Sequence, residues 1–399
     1  MSWETVKLSE CCVSIADGDH LPPPKAESGI PFVTISNINA MNQIDFTNTM
    51  FVPQEYYDRL DSKRKAQVGD VLYSVVGSFG IPVYIKENQK FVFQRHIAIL
   101  RSNGKILPRF LYYTMLSRDF YAKADAAAIG AAQRTLSLTA LRNIEIDIPT
   151  IEEQNKIVDI ISAYDDLIEN NKKQIKLMEE AAQRLYKEWF VDLRFPGHEN
   201  TPIVDGVPKG WRLDEIKSVV SLLSGYAFKS SDFVDDGKYK IVTIKNVQDG
   251  NFDGQNVNAI SEIPSKMPSH CILNDGDILL SLTGNVGRVC LVNGENYLLN
   301  QRVAKLDSKY PSYAYCLFRS NDMFDTMNSL ANGAAQQNLS PIRTENVRIL
   351  NPSDRIIEKF ENVASPMIAK ILVLNKSNSN LKQARDRLLP KLISGELEV

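Results

Sequence analysis

The sequence predicts a mixed α+β protein built twice: two similar α/β domains separated by two long antiparallel helices, the halves related by a pseudo-two-fold internal repeat. Three observations predict it. Residues 150–195 carry apolar side chains at alternating steps of four and three, at Ile157, Ile161, Tyr164, Ile168, Ile175, Met178, Ala182, Leu185 and Trp189, with Asn171 the one polar position in the seam. That alternation marks a helix packed along another of comparable length. The blocks on either side of this helix repeat each other in order, and the repeat offset lays a second seam on Phe360, Ala364, Met367, Ile371, Leu374, Asn378, Leu381, Arg385, Leu388 and Leu392.

Bulk composition sets the frame. A chain of 399 residues, 44% hydrophobic and 24% charged, has room for two or three domains with cores of their own. A net charge of −2 argues against a globally basic nucleic-acid coat but leaves room for a local basic groove. Cys11, Cys12, Cys271, Cys290 and Cys316 show no CxxC spacing and no adjacent histidine cluster, so they read as idle thiols in a reducing cytosol, with no metal. The N-terminus is too polar for a signal peptide, and no apolar run is long enough to span a bilayer. The expectation is a cytoplasmic protein.

Residues 1–149 form the first predicted domain. Pro31-Phe-Val-Thr-Ile-Ser36 and Val71-Leu-Tyr-Ser-Val-Val76 are β-branched and aromatic runs that suit strands, and Gly69-Asp70 turns the chain into the second. Pro108 opens a helix through Leu116, and a strand over residues 144–148 leads to Pro149. Residues 150–195 follow as the central helix, roughly 60–70 Å long at about 1.5 Å per residue. Thr150 and Glu153 make its capping box. Residues 196–210, with three prolines and three glycines, read as a linker. The second domain, residues 211–352, restates the first. Trp3 answers to Trp211, Val33-Thr-Ile-Ser-Asn-Ile38 to Val242-Thr-Ile-Lys-Asn-Val247, and Gly69-Asp70, Gly77, Gly80 and Gln94-Arg95 to Gly276-Asp277, Gly284, Gly287 and Gln301-Arg302. At an offset of 203, Gly130-Ala-Ala-Gln133 meets Gly333-Ala-Ala-Gln336 and Pro149 meets Pro352. Residues 353–399 are then the second long helix, in which Pro366 should kink or interrupt the backbone. Antiparallel packing would make the helices a spacer between the domains and bring the two termini near each other. Asn171 and Asn378 would weaken the seam but pin its register.

Catalytic motifs are missing. There is no GxxxxGK[ST] loop, no [DN]PP[YFW] motif for a flipped base, and the four scattered histidines, His20, His96, His198 and His270, have no paired nucleophile. Two similar domains held by a spacer suggest a reader of two related but different half-sites.

At this point the chain resembles a known family, the DNA-specificity subunits of type I restriction–modification enzymes, over nearly its full length. The resemblance rests on Gly69-Asp70-Val-Leu-Tyr-Ser74 and Gly276-Asp277-Ile-Leu-Leu-Ser281, on the two Gly-Ala-Ala-Gln stretches, and on Glu153-Gln154 with Tyr164-Asp165-Asp166-Leu-Ile168. The ending, Leu388-Leu-Pro-Lys-Leu-Ile-Ser-Gly-Glu-Leu397, matches too, whereas Ile357 stands where Gln154 stands in the first copy. The resemblance implies a non-catalytic subunit whose two target-recognition domains read a bipartite, asymmetric double-stranded DNA sequence. It implies two modification subunits that methylate adenine N6 and two restriction subunits as partners. S-adenosylmethionine, ATP and magnesium would belong to those partners and no cofactor to this chain.

Side chains that present donors and acceptors to base edges, with cations on phosphates, would do the reading. The candidates are Ser36, Asn37, Ser78, Gln94, Arg95, Gln133 and Arg134 in the first domain. In the second they are Lys245, Asn246, Thr283, Asn285, Arg288, Gln301, Arg302, Gln336, Gln337 and Asn338. Each has a structural alternative: the duplicated Gln-Arg pairs as loop-holding hydrogen bonds, the Gly-Ala-Ala-Gln stretches as packing, the glycines as tight turns. Two rival functions stay open as well, a protein-binding scaffold with duplicated domains and the recognition region of a methyltransferase or nuclease.

Overall fold

The computed structural model describes residues 3–20, 22–39, 41–130, 133–255, 257–331 and 337–399. They form two compact units, one of residues 1–166 with 381–399, the other of residues 167–380. Each long helix is therefore divided between the units.

In the first unit, strands Cys12–Asp17, Ile97–Ser102, Val71–Ser74 and Pro82–Tyr84 make an antiparallel sheet in that order. Val71–Ser74 is buried at every position, which explains its unbroken apolar run: a central strand covered on both faces has no polar side to alternate with. A second sheet sets Ile30–Val33 between Met50–Val52 and Val92–Phe93. The strand expected over residues 31–36 ends at Val33. The chain then turns through Ile35–Asn37, because Asn37 Oδ1 accepts from both the Thr34 amide and its hydroxyl, each at 2.9 Å. Helix Pro108–Leu116 starts with proline at its first turn, and the ribbon of Glu4–Lys7 with Glu145–Ile148 delivers the chain to the central helix.

The second unit repeats this plan. Its sheet runs Ser221–Ser224, Val303–Asp307, Ile278–Ser281, Val289–Leu291, and its ribbon joins Arg212–Glu215 to Arg348–Asn351. Individual hydrogen bonds recur: the Gly80 amide donates to the Ser74 carbonyl as Gly287 does to Ser281, both near 3.0 Å. The repeat is corrected in one place. Gln94 donates to the Val33 carbonyl and Asn300 to that of Val242, so Gln94-Arg95 is equivalent to Asn300-Gln301, not to Gln301-Arg302. The loop between Val292 and Asn300 is one residue shorter than that between Ile85 and Gln94, and the matching dipeptides are out of register by that residue.

The segment read as a linker is ordered. Ile203–Val204 and Val207–Pro208 pair as a hairpin around Asp205 (φ 51°) and Gly206 (φ 79°), the left-handed pair that suits a two-residue turn. Phe195 lies against Trp211 with ring centroids 4.8 Å apart.

The central helix runs Ile151–Tyr186 and continues as a π turn, Lys187–Val191; the C-terminal helix runs Asp354–Ile393. At about 1.5 Å per residue they are about 54 and 60 Å long. Thr150 and Glu153 exchange hydrogen bonds as a capping box. Gln154 is fully buried, accepting from the Leu107 amide at 2.7 Å and donating to the Pro149 and Lys105 carbonyls. Where Ile357 replaces it in the second copy, Ser308 Oγ accepts from the Tyr310 amide at 3.0 Å and takes over the lost bond. Pro366 does not interrupt the C-terminal helix. It sits on the exposed side, where the carbonyl it leaves unpaired is open to water, while Ala364 and Ile368 stay buried beside it.

Within the first unit, Ile157 and Ile161 bury with Leu389 and Leu392, and Asp165 meets Arg385 at 2.6 Å. Within the second, Asn171 Nδ2 donates to Asn378 Oδ1 at 2.9 Å, and Ala182 and Tyr186 share a core with Phe360, Ala364, Ile368 and Ile371. Numbers rise on one helix as they fall on the other, so the pairing is antiparallel in each unit. Tyr164, Ile168, Ile175, Met178, Leu185, Trp189, Met367, Leu381 and Leu388 are half-buried, and Leu374 is buried. At the end of the central helix Tyr186 follows buried Ala182 by four residues, and Tyr186 and Phe190 are buried more deeply than Leu185 and Trp189. In the first unit Gly395, beyond the C-terminal helix, packs against Trp3.

Asn171→Ile alone should cost about 1–2 kcal/mol, because Asn378 loses its partner in an apolar seam. The pair Asn171→Ile with Asn378→Leu should exceed the wild type in urea midpoint. A double variant no more stable than the single would refute a polar pin held at the expense of stability.

Candidate nucleic-acid interface

Each sheet gathers four loops at one end, and the gathering point is the residue after the buried central strand. In the first unit the Val75 amide donates to the His96 carbonyl at 2.9 Å, and the Val75 carbonyl accepts from Leu136 at 2.9 Å. Val76 bridges Thr135, and a Cβ at Gly77 would stand 3.7 Å from Ile35 Cδ1. In the second unit Leu282 donates to the Arg302 carbonyl at 3.0 Å and accepts from Leu339 at 2.7 Å; Thr283 bridges Asn338, and a Cβ at Gly284 would stand 3.1 Å from Ile244 Cδ1. Gly77 (φ 82°) and Gly284 (φ 72°) occupy the left-handed region, which explains glycine there. The separated candidates of each domain are thus brought to one loop cluster per unit.

Side-chain placement divides them. Ser36, Ser78, Arg95, Gln133 and Arg134 are exposed in the first cluster; Lys245, Asn285, Gln301, Arg302, Gln337 and Asn338 are exposed in the second. Gln94 and Arg288 are half-buried. Gln336 lies outside the described residues. Two expectations are corrected, at Asn246 and Thr283. Asn246 is 3% exposed; its Oδ1 accepts from the Thr243 amide and hydroxyl while its Nδ2 donates to the Asp253 carbonyl, so it pins a turn and cannot face a base. Asn37 Oδ1 holds the equivalent turn through the Thr34 amide and hydroxyl, with the side chain half-buried. The Thr283 hydroxyl oxygen is buried and turned from solvent.

Charge is distributed unevenly over the exposed set. Arg134 pairs with Asp125 at 2.8 Å, whereas Arg95, Lys245 and Arg302 make no ion pair among the described residues. Burial, and then the adjacent Arg95 charge, lowers the pKa of His96, so at neutral pH the cation of that turn is Arg95. Deeper in, Arg101 grips the buried Asp70 with two nitrogens at 2.9 and 2.8 Å, and Lys305 meets Asp277 at 2.9 Å, fastening the Gly-Asp turns that launch the central strands.

Gln248 was not among the candidates. It accepts from Arg288 Nη1 at 2.6 Å and donates to the Lys245 carbonyl at 2.7 Å, from a hairpin turned at Asp249-Gly250. That Asp-Gly pair between Val247 and Phe252 was the available signal. Among the described residues no group of three or more His, Cys, Asp or Glu could hold a metal, and no helix is long and apolar enough to cross a membrane. Such an arrangement can offer hydrogen-bonding side chains to base edges and unpaired cations to phosphates.

A family model described as type I restriction modification DNA specificity domain matches residues 1–180 and 208–363. Among curated relatives, the type I restriction enzyme MjaIX specificity subunit of Methanocaldococcus jannaschii is 28% identical over 306 residues, 74% of this chain and 70% of the relative. The HindI specificity subunit of Haemophilus influenzae is 22% identical, covering 92% of this chain and 95% of the relative. The crystal structure of a type I restriction–modification system S subunit from M. genitalium superposes with a TM-score of 0.60 at 16% identity, covering 98% of this chain and 96% of that one.

Proposed function

The chain belongs to the type I restriction–modification DNA specificity family and is a specificity subunit, and on that premise we propose how it reads DNA. Each loop cluster contacts one half of a bipartite, asymmetric target. One observation carries this reading: the two clusters share a scaffold down to single hydrogen bonds, yet display different side chains at equivalent places. Ser36 stands where Lys245 stands, and Arg95 where Gln301 stands. Equal scaffolds with unequal exposed chemistry suit two different half-sites.

The chain itself is non-catalytic and carries no cofactor. It directs adenine N6 methylation and restriction by two modification and two restriction subunits, which hold S-adenosylmethionine, ATP and magnesium. Exposed Leu167, Leu177 and Val373 on the long helices support protein docking there.

The test is to map methylated adenines in cells carrying the full chain and its partner subunits, with and without this chain. A bipartite motif should vanish with the chain; an unchanged set of motifs overturns the reading. In the assembled complex, Arg302→Ala should weaken binding to matched and unmatched DNA alike and reduce the slope of log K against log salt by about 1. An unchanged slope removes Arg302 from the phosphate contacts.

A further inference from the structure

Strands Val247–Gln248 and Asn251–Phe252 pair antiparallel and turn at Asp249 and Gly250. The body of this hairpin holds two candidate DNA contacts, since Gln248 donates to the Lys245 carbonyl and accepts from Arg288. Its tip rests on Arg319. That guanidinium is 13% exposed and lies 2.9 Å from Glu179 Oε1 on the central helix. It donates to Tyr315 Oη at 2.8 Å and reaches Asp249 Oδ1 at 3.4 Å. Tyr315 Oη in turn donates to Glu179 at 2.9 Å, closing the cluster. Gly250 (φ 68°) leaves no room for a side chain: a Cβ there would stand 2.7 Å from Arg319 Nη2. The tip is therefore shaped around the guanidinium, and its glycine is required by this approach as well as by its backbone angle.

We infer that Arg319 is a positioning residue for DNA specificity: by clamping the Asp249-Gly250 tip to Glu179, it sets the directions in which Lys245 and Arg288 are presented. The inference rests on the DNA-reading function proposed above. A planar guanidinium holds its five donors in a fixed fork that spans a carboxylate, a phenol and a hairpin tip, a geometry that the compact ammonium of lysine does not reproduce. Glu179 is 17% exposed, and its carboxylate is compensated by Arg319 in a site with little water. The connection runs without a gap from the central helix through Arg319, the hairpin tip and Gln248 to Lys245 and Arg288. At the repeat offset of 203, Arg319 answers to Leu116 and Tyr315 to Tyr112. Leu116 packs against the first unit's core and can form no such clamp. The device belongs to the second unit alone, so its loss must alter one half-site and spare the other.

The experiment uses the full-length chain with its modification subunits and maps adenine methylation at matched sites and at sites with one mismatch. Two variants keep the fold: Asp249→Ala removes a carboxylate that is 69% exposed, and Arg319→Lys keeps a charge beside Glu179. Both should raise methylation at sites mismatched in one half by about ten-fold relative to matched sites, the scale of one lost base contact. The affected half should be the one that Arg288→Ala alters, and the other half should keep its sequence. An unchanged motif in both variants overturns the inference. So does a uniform fall in methylation with both halves intact, the signature of a merely structural arginine. If the wild-type chain directs no bipartite methylation, the functional reading fails first, and the two failures are thereby distinguished.

Discussion

Phe360→Ala is expected to destabilise the second unit by about 3–5 kcal/mol, the cost of deleting a fully buried aromatic ring. Phe360 is 0% exposed and stands at the hub of the aromatic cluster where the two long helices meet that unit's core. Its ring centroid lies 5.2 Å from Phe190, 6.0 Å from Trp189, 6.2 Å from Tyr186 and 6.4 Å from Tyr313, in predominantly edge-on contacts. Such pairs add about 0.5–1.5 kcal/mol each beyond area burial, so the upper part of the range is expected. Four rings on two segments, the end of the central helix and the helix Pro311–Phe318, cannot close together over the cavity. For a unit of this size the melting temperature should fall by about 10 °C or more. Phe360→Leu, which keeps most of the volume, should cost about half as much or less. A loss under about 1 kcal/mol for the alanine variant would mean that the cluster repacks and that the helix junction is not anchored there.

Arg385→Ala should cost the first unit about 3 kcal/mol, the low end for breaking a buried pair, since about a fifth of each side chain still meets solvent. Arg385 Nη1 lies 2.6 Å from Asp165 Oδ1, with exposures of 19% and 18%. Tyr113 donates to the other oxygen at 2.8 Å. Burial, and then the Asp165 charge, raises the Tyr113 pKa well above the ordinary phenol range, which keeps that hydroxyl a donor. Removing the arginine strands a carboxylate; removing the carboxylate as well does not. The other unit shows the alternative, because at the offset of 203 Asp165 answers to Ile368 and Arg385 to Ala182, which are 9% and 1% exposed. The double variant Asp165→Ile with Arg385→Ala should therefore be more stable than Arg385→Ala, its remaining deficit of about 1–3 kcal/mol being the Tyr113 hydroxyl left without an acceptor. Denaturant midpoints of the wild type, both singles and the double measure the coupling. Additive losses would show that the pair acts as two independent side chains.

The long helices were legible because a seam needs only local periodicity, and periodicity survives in one dimension. The same holds for the Gly-Asp turns and for Pro108, where the backbone itself demands those residues. The linker shows the opposite risk. Its prolines and glycines masked the hairpin, although Asp205-Gly206 between Val204 and Val207 is a two-residue turn signal. Pro366 is a local defect, but one missing hydrogen bond on a solvent-facing side is small against the packing of Phe360, Ala364, Ile368 and Ile371. The pairing of Gln94-Arg95 with Gln301-Arg302 failed for another reason: identical letters one residue apart outweighed a loop deletion that only the Val33 and Val242 carbonyls reveal.

The sequence by itself determined that the chain is duplicated, that each copy ends in a long helix, and to which family the ordered motifs belong. The tertiary structure alone decided which polar residues face inward. Asn246 is a turn pin because Thr243 and Asp253 consume its amide, Gln154 is a core residue because Leu107 and Pro149 surround it, and Arg319 is a clamp because Glu179 lies beside it. The physical reason is common to all three: a polar side chain's role depends on which groups desolvate and satisfy it, and in the folded chain those groups come from segments that the sequence keeps apart.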